Sequence, residues 1–524
     1  MFPTTVRTRW CALGAAALCV LSLNCFAVKV HATDPVSLRA ALETVEASDL
    51  RGHVEVLADD SLQGRDSGSP GGHAASKYLA LLFEKHGLEP AGERGTFLQV
   101  FGDDFRNIIG IWPGSDPELA DELIIIGAHY DHVGLGNPNN SYGPYGVVHN
   151  GADDNASGTS TVLELVEALC SNQLPLRRPV MFCLWDAEED GLLGSKYWLE
   201  NPTVPLEQVC FSINLDMVGR LRSDVGLTLY GERTAAGLRE LVCDLNEERL
   251  PFDFDWDLLD DSDHHPFIER RIPTLMFHTG LHDQYHRPSD DVETLNFEGM
   301  QSVARLVGRV LFEVSELDQR LEFRDAAWQE NEEYRTAFEM PAPSSPSRLG
   351  IALLEHSDSS DIGEPGAESS AVGLVIDVVE PGSPAETAGL VAGSRILAIN
   401  GQGADADSFW DHIYEASEPV VLLVESPSGE ISKPTVTLAG SPARVGMSWR
   451  LDEGDESIAV VTRVAPMSRA DRAGLQVGDR IYRVNDELVT SNEALREQLL
   501  AAHGELPLRV ERAGVLRRCT LRLP

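Results

Sequence analysis

Four short segments built on continuous apolar runs constrain the fold of this chain more than any other feature. They are ELIIIGAH (Glu122–His129), RPVMFCLWDAEE (Arg178–Glu189), VCFSINLDMVG (Val209–Gly219) and IPTLMFH (Ile272–His278). Each is short for a buried helix and too continuous for a strand with one wet face. Strands covered on both faces read this way, and they belong to parallel-rich α/β sheets sandwiched by helices. Upstream, AASKYLALLFEKHGL (Ala74–Leu88) has apolar residues at helical spacing and a glycine stop. In such sheets ligands gather beyond the carboxyl ends of the strands. All four runs lead there into polar residues: His129, the pair Glu188 and Glu189, Asp216, and a loop carrying His286. Packing alone has no reason to repeat that coincidence four times.

A fifth segment, HNGADDNASGTSTVLELV (His149–Val166), sets Asp153 and Asp154 just before a helix expected to begin near Ser157. Taken alone, the pair reads as a capping turn at a helix N-terminus. That reading leaves GAHYDHVG, WDAEEDG, NLDMVG and QYHRPSDD unexplained. Gathered together, the five segments bring several carboxylates beside imidazoles, with no lysine in any of them. Carboxylates a few ångströms apart cannot all stay ionised without compensation. Zinc takes imidazole and carboxylate ligands, and two zinc ions sharing one carboxylate absorb such an excess of charge.

In that order, H-x-D, D-D-N-A-S-G, E-E, D-M-x-G and a late histidine, the segments resemble the co-catalytic dizinc aminopeptidases of metallopeptidase family 28. The similarity covers about residues 40–315 and includes HVEVLADDSLQGRDSGSPGGHAASKYLA (His53–Ala80). The resemblance implies a zinc-peptidase fold, phosphorylase/hydrolase-like, and a cofactor of two Zn2+ ions. It implies that His129 and Asp216 hold one ion, Glu189 and His286 the other, and Asp154 bridges them through a residue often followed by a cis peptide. Glu188 is then the general base, and Asp131 a catalytic carboxylate that orients His129. The implied reaction is hydrolysis of N-terminal peptide bonds by a metal-bridged hydroxide. Its partners are peptides or proteins with a free N-terminus.

Asp153 reads as a cap or supporting group. His132, His149, His278 and His282 lie near the motifs without matching a ligand position. His264 and His265, in DSDHHPF (Asp261–Phe267), read equally as pocket residues or as a structural loop, and Asp290 as a support for His286. Two alternatives remain open: a single-zinc enzyme like glutaminyl cyclase, and a catalytically silent scaffold. H-E-x-x-H, G-x-S-x-G and phosphate-loop motifs are absent.

Beyond a Pro/Ser-rich linker, EMPAPSSPS (Glu339–Ser347), the chain repeats itself. AGLVAGSRILAING (Ala388–Gly401) aligns with AGLQVGDRIYRVND (Ala473–Asp486) at an offset of 85, with seven of fourteen positions identical. The repeats resemble PDZ domains, which implies docking of C-terminal peptides as an added strand. The expected organisation is a signal peptide over 1–32, an aminopeptidase domain over 33–320, a helical end and linker over 321–347, and two small β-rich PDZ-like domains over 348–440 and 441–524.

The first residues, with Arg7 and Arg9 before an apolar stretch and V-H-A near residue 32, read as a secretory signal. The implied location is secreted or periplasmic, without a membrane span in the mature chain, and a retained anchor is the alternative. Acids outnumber bases 83 to 42, a net charge of −41 that argues against a nucleic-acid partner. Five cysteines follow the leader, an odd number without a C-x-x-C, so disulfide pairing stays open. Cys183 and Cys210 lie in apolar runs and read as buried thiols.

Overall fold

The four apolar runs lie side by side at the middle of one sheet. A computed structural model describes residues 35–344, 347–354, 373–452, 454–455 and 458–524. The leader expected over 1–32 lies outside the described residues, as do Ser345 and Pro346 of the linker.

The first body contains helices α1 (Pro35–Glu43), α2 (Ala47–Leu57), α3 (Pro70–Lys85), α4 (Gly158–Ser171), α5 (Leu193–Glu200), α6 (Leu238–Asp244), α7 (His265–Glu269), α8 (Phe297–Glu316) and α9 (Glu332–Glu339). Its strands are β1 (Glu89–Pro90), β2 (Leu98–Phe101), β3 (Phe105–Trp112), β4 (Leu123–His129), β5 (Val180–Trp185), β6 (Val209–Leu215), β7 (Leu227–Tyr230), β8 (Phe252–Asp255) and β9 (Thr274–His278). The sheet order is β1-β3-β5-β4-β6-β9-β7-β8, with β2 on β3. The central pairs β5–β4, β4–β6 and β6–β9 are all parallel, so the four carboxyl ends share one rim.

Alternation explains why both faces of these strands are apolar. Ile124, Ile126, Phe182, Leu184, Phe211 and Ile213 pack with α2, α4 and α8 on one face. Leu123, Ile125, Met181, Cys183 and Trp185 pack with Trp198 and Phe267 on the other. Burying each such side chain is worth about 1.5–3 kcal/mol relative to exposure. The run of parallel pairs is broken on either side, where β3 runs antiparallel to β5 and β7 antiparallel to β9, although the edge pair β7–β8 is parallel again. On one side the cause is local: β2 and β3 form a hairpin that pairs Phe101 with Phe105 across a three-residue turn. Antiparallel strands suit so short a connection, whereas parallel neighbours need a crossover.

Helix α3 begins earlier than its apolar spacing predicts. Ser69 accepts the Gly72 N–H and Pro70 opens the first turn, so the start is set by capping rather than by the apolar stripe.

The first repeat contains β10 (Ile351–Leu353), β11 (Leu374–Val379), α10 (Pro384–Thr387), β12 (Arg395–Ile399), β13 (Gln402–Gly403), α11 (Ala406–Glu415), β14 (Val420–Glu425), β15 (Ile431–Ser432) and β16 (Thr435–Val436). The second contains β17 (Met447–Leu451), β18 (Ala459–Val464), α12 (Arg469–Arg472), β19 (Arg480–Val484), β20 (Glu487–Leu488), α13 (Asn492–Ala501), β21 (Gly504–Arg512) and β22 (Val515–Leu523). Each has its own sheet and core. The second also rests on the first body. Ile458, Val460 and Tyr482 join the large core there, and the Phe252 N–H donates to the Ala513 carbonyl at 3.0 Å.

No described helix is long and apolar enough to cross a membrane. Cys170, Cys183, Cys210, Cys243 and Cys519 are all buried and unpaired.

Candidate metal centre

Strand ends and one helix start build the site. His129 is the last residue of β4, Glu188 and Glu189 follow β5, Asp216 follows β6, and His286 lies in the loop after β9. Asp154 reaches the same rim from the segment before α4. That segment is tied to β6: the Asn155 amide donates to the Leu215 carbonyl at 2.9 Å and its oxygen accepts the N–H of Gly158 and of Met217. The Asp154–Asn155 peptide is cis. Ala187, Met217 and His286, beside or in the site, hold φ of 58°, 49° and 50°. Left-handed backbone with a Cβ costs roughly 1–2 kcal/mol per residue, which the surrounding packing must over-ride.

The two oxygens of Asp154 face different partners. Oδ1 lies 3.4 Å from His129 Nε2, which is itself 3.3 Å from Asp216 Oδ1. Oδ2 lies 3.0 Å from His286 Nε2, which is 3.1 Å from Glu189 Oε2. Two groups of metal-competent atoms result: His129, Glu188 and Asp216 on one side, and His132, Asp154, Glu189 and His286 on the other. Every residue named from sequence as a ligand or base therefore comes to one rim.

Supporting contacts fix these groups. Asp131 is fully buried and accepts the N–H of Glu188 at 3.1 Å and of Glu189 at 3.2 Å, with the Ser67 hydroxyl at 3.1 Å. Its carboxylate is farther from the His129 ring, at 3.6 Å, so it orients the glutamate turn more closely than the imidazole. Asp216 accepts the Ser262 hydroxyl at 2.7 Å, which gives part of DSDHHPF a place at the site. Asp153 accepts the Gly219 N–H at 2.7 Å and lies 3.1 Å from His282 Nε2, so it braces the loops and does not cap α4.

Two expectations change. Asp290 does not support His286; it accepts the N–H of Asp153 and Asp154 at 2.9 and 3.1 Å and so holds the segment that carries Asp154. His132 matches no ligand position, yet its Nδ1 lies 2.8 Å from Glu189 Oε1 and its ring meets that of His286 edge-on. Its position three residues after His129 is the signal that sequence offers. His149 bonds Ser141 and the Val147 carbonyl, His278 accepts the Gly280 N–H, and His265 meets Trp328. His264 is fully buried with neither ring nitrogen bonded, and burial pulls its pKa to about 3.

The electrostatics follow from the crowding. Burial pulls the His286 imidazole down, but hydrogen bonds to Asp154 and Glu189 hold it up at about 11. Burial likewise opposes protonation of His129, and Glu188 and Asp216 still hold it well above its ordinary range. Burial pushes Glu188 far up, reinforced by Glu189 and Asp216. Among the described residues, the ion pairs of Asp131, Asp154, Glu189 and Asp216 are with histidines, and no arginine or lysine joins them. Imidazole and carboxylate donors in surplus over cations are what a zinc-class ion takes.

Residues 107–311 match the model of peptidase family M28. This part of the chain is an M28 peptidase domain. Residues 375–404 and 460–512 match the PDZ domain model. Leupeptin-inactivating enzyme 1 of Streptomyces exfoliatus is 29% identical over 220 residues, 41% of this chain and 46% of that protein. Aminopeptidase YwaD of Bacillus subtilis is 31% identical over 219 residues, 40% of this chain and 44% of that protein. The chain thus spans under half the length of these curated relatives. The solved Legionella pneumophila LapA aminopeptidase is 21% identical with a TM-score of 0.43, covering 54% of this chain and 75% of that one. The five apolar-run and aspartate segments all lie inside the M28 match, whereas the helices α1 to α3 that cover one face precede it.

Proposed function

We propose that the chain is a zinc-dependent aminopeptidase that uses two zinc ions to remove residues from free N-termini of peptides and proteins. The observation that carries this reading is the division of Asp154, one oxygen toward His129 and Asp216 and the other toward Glu189 and His286. Those five residues would hold the metal pair. A zinc pair supplies a water of lowered pKa and a polarised carbonyl, which an unactivated amide needs.

The chain's own groups do the rest. Glu188 takes a proton from water and passes it to the leaving amine. Asp131 keeps the adjacent Glu188 and Glu189 pointing differently by holding both of their N–H groups. The acidic rim attracts the α-ammonium of a substrate. We assign 33–320 to the peptidase, 321–347 to a connecting segment, and 348–440 and 441–524 to PDZ-like domains that take C-terminal peptides. Residues 1–32 direct export to the periplasm or the exterior.

An aminoacyl-p-nitroanilide assay with and without chelator tests the reading. Chelation should abolish turnover and zinc should restore it, with at least two zinc ions per chain by metal analysis. Activity that survives complete metal removal would sink the proposal.

A further inference from the structure

A second place in the molecule gathers metal-competent groups, on the helical face of the sheet and sharing no residue with the rim. His53 of α2 and Glu164 and Glu167 of α4 bring one ligand atom each within 4.8 Å of one another. The two glutamates are three apart, so they stand on one face of α4. Glu164 lies six residues into that helix, roughly 9 Å along its axis from Gly158.

Glu164 is the unusual member. It is 2% exposed, and its Oε1 has no hydrogen-bond partner. His53 Nε2 lies 3.5 Å away, beyond the usual length of a hydrogen bond. A buried carboxylate oxygen without a donor is costly, and natural structures rarely leave one so. His53 is oriented from behind: its Nδ1 lies 2.8 Å from the Tyr78 hydroxyl of α3. With Tyr78 accepting from Nδ1–H, Nε2 presents its lone pair to the two carboxylates, an arrangement usual for metal-bound histidine. Glu167 is steadied by His86, whose Nε2 is 3.6 Å from Oε2, and it is partly exposed, which leaves a path for entry. Among the described residues, no arginine or lysine pairs with Glu164 or Glu167.

We propose that His53, Glu164 and Glu167 bind a third divalent ion of the zinc class, which clamps α2 to α4. One imidazole and two carboxylates, with water completing the shell, form an ordinary donor set for it. The ion is structural: it anchors the helix whose preceding segment carries Asp154, and it takes no part in turnover.

The test compares full-length protein with Glu164→Gln and His53→Gln, each stripped with chelator and titrated with zinc chloride. Both variants should bind one zinc fewer than the parent while retaining turnover. Because the readout is a difference, it stands whether the rim holds one ion or two. In chelator, Glu164→Gln should melt at or above the parent temperature, since a buried charge has gone; in zinc it should fall behind the parent. Anomalous scattering at the zinc edge should show a peak within about 2.2 Å of His53 Nε2. Unchanged stoichiometry in both variants, with equal melting losses in chelator and in zinc, would mean that His53 and Glu164 form a plain ion pair, and the proposal would fail.

Discussion

Carboxylates crowd together at two places whose surroundings differ. Where the second PDZ domain meets the first body, Asp452, Glu330, Glu511 and Glu339 each have an arginine. Arg233 forks onto Asp452 at 2.8 and 3.0 Å, reaches Glu330 at 2.8 Å, and lies 4.1 Å over the Trp256 ring. Arg239 forks onto Glu511 at 2.9 and 3.2 Å, 3.8 Å over Phe254, and Arg480 meets Glu339. At the sheet rim, the ion pairs of Asp131, Asp154, Glu189 and Asp216 are with imidazoles alone among the described residues. Both places are largely dry, and an unmatched buried charge costs several kcal/mol in either. Those four acids of the joint are matched as folded. At the rim the carboxylates outnumber the imidazoles that pair with them, and on the proposed reading a cation from outside makes up the difference.

The comparison breaks most visibly at Glu188. Glu188→Gln keeps shape and removes the proton carrier, so turnover should fall by about 10²–10⁴-fold while zinc content stays at the parent value. A parallel loss of metal would make Glu188 a ligand, and the distinction between base and ligands would collapse. The next largest effect belongs to the joint. Glu511→Gln leaves Arg239 without its partner and should cost about 3–5 kcal/mol, read as a lower denaturation midpoint. The pair Arg239→Met with Glu511→Leu should recover most of that loss. If the double variant is as weak as the single one, matched charge is not what the joint depends on.

One side of this contrast is legible in the sequence, and the reason is local. The central strands are buried on both faces, so their apolar runs and the polar residues that end them are visible within a dozen residues each. Candidate ligands such as His129 and Asp216 sit where a strand stops, and chain order alone marks the place. The joint has no such mark. Arg239 and Glu511 are distant in sequence, and each reads alone as a solvated surface charge. The work of Asp290 is hidden for a similar reason, because it bonds the backbone N–H of Asp153 and Asp154 and no side-chain pattern encodes that. His132 escapes a reading by motif because its pairing with Glu189 follows from a turn after β5 that periodicity does not describe.

Acid sharpens the comparison at smaller cost. Burial raises the Glu511 pKa, but Arg239 and Arg480 outweigh it and hold it at about 2, against an ordinary 4.5. A carboxylate with a depressed folded pKa stabilises above its unfolded value and loses that contribution as pH falls toward the folded one. The joint should therefore be at full strength above about pH 4.5 and weaken between there and pH 2. In Glu511→Gln, the acid limb of a melting-temperature profile should flatten over that window. An unchanged limb would show that Glu511 is not tied to the arginines in solution.

The smallest effect falls on an acid of the joint that behaves like the rim. Glu232 is 2% exposed, and neither of its oxygens has a hydrogen-bond partner. Burial pushes its pKa up to about 7, and the pull of Arg239 and Arg233 offsets only part of that rise. Here the sign reverses: the folded state binds the proton more tightly, so stability is greatest below about pH 4.5 and declines as pH rises toward 7. At about 1.4 kcal/mol per unit, ionised Glu232 costs at most roughly 3 kcal/mol. Glu232→Gln should leave the melting temperature unchanged at pH 4 and raise it above pH 7. A variant no more stable than the parent at pH 8 would mean that the nearby arginines close on Glu232 after all. The joint would then be matched throughout, and its difference from the rim would be complete.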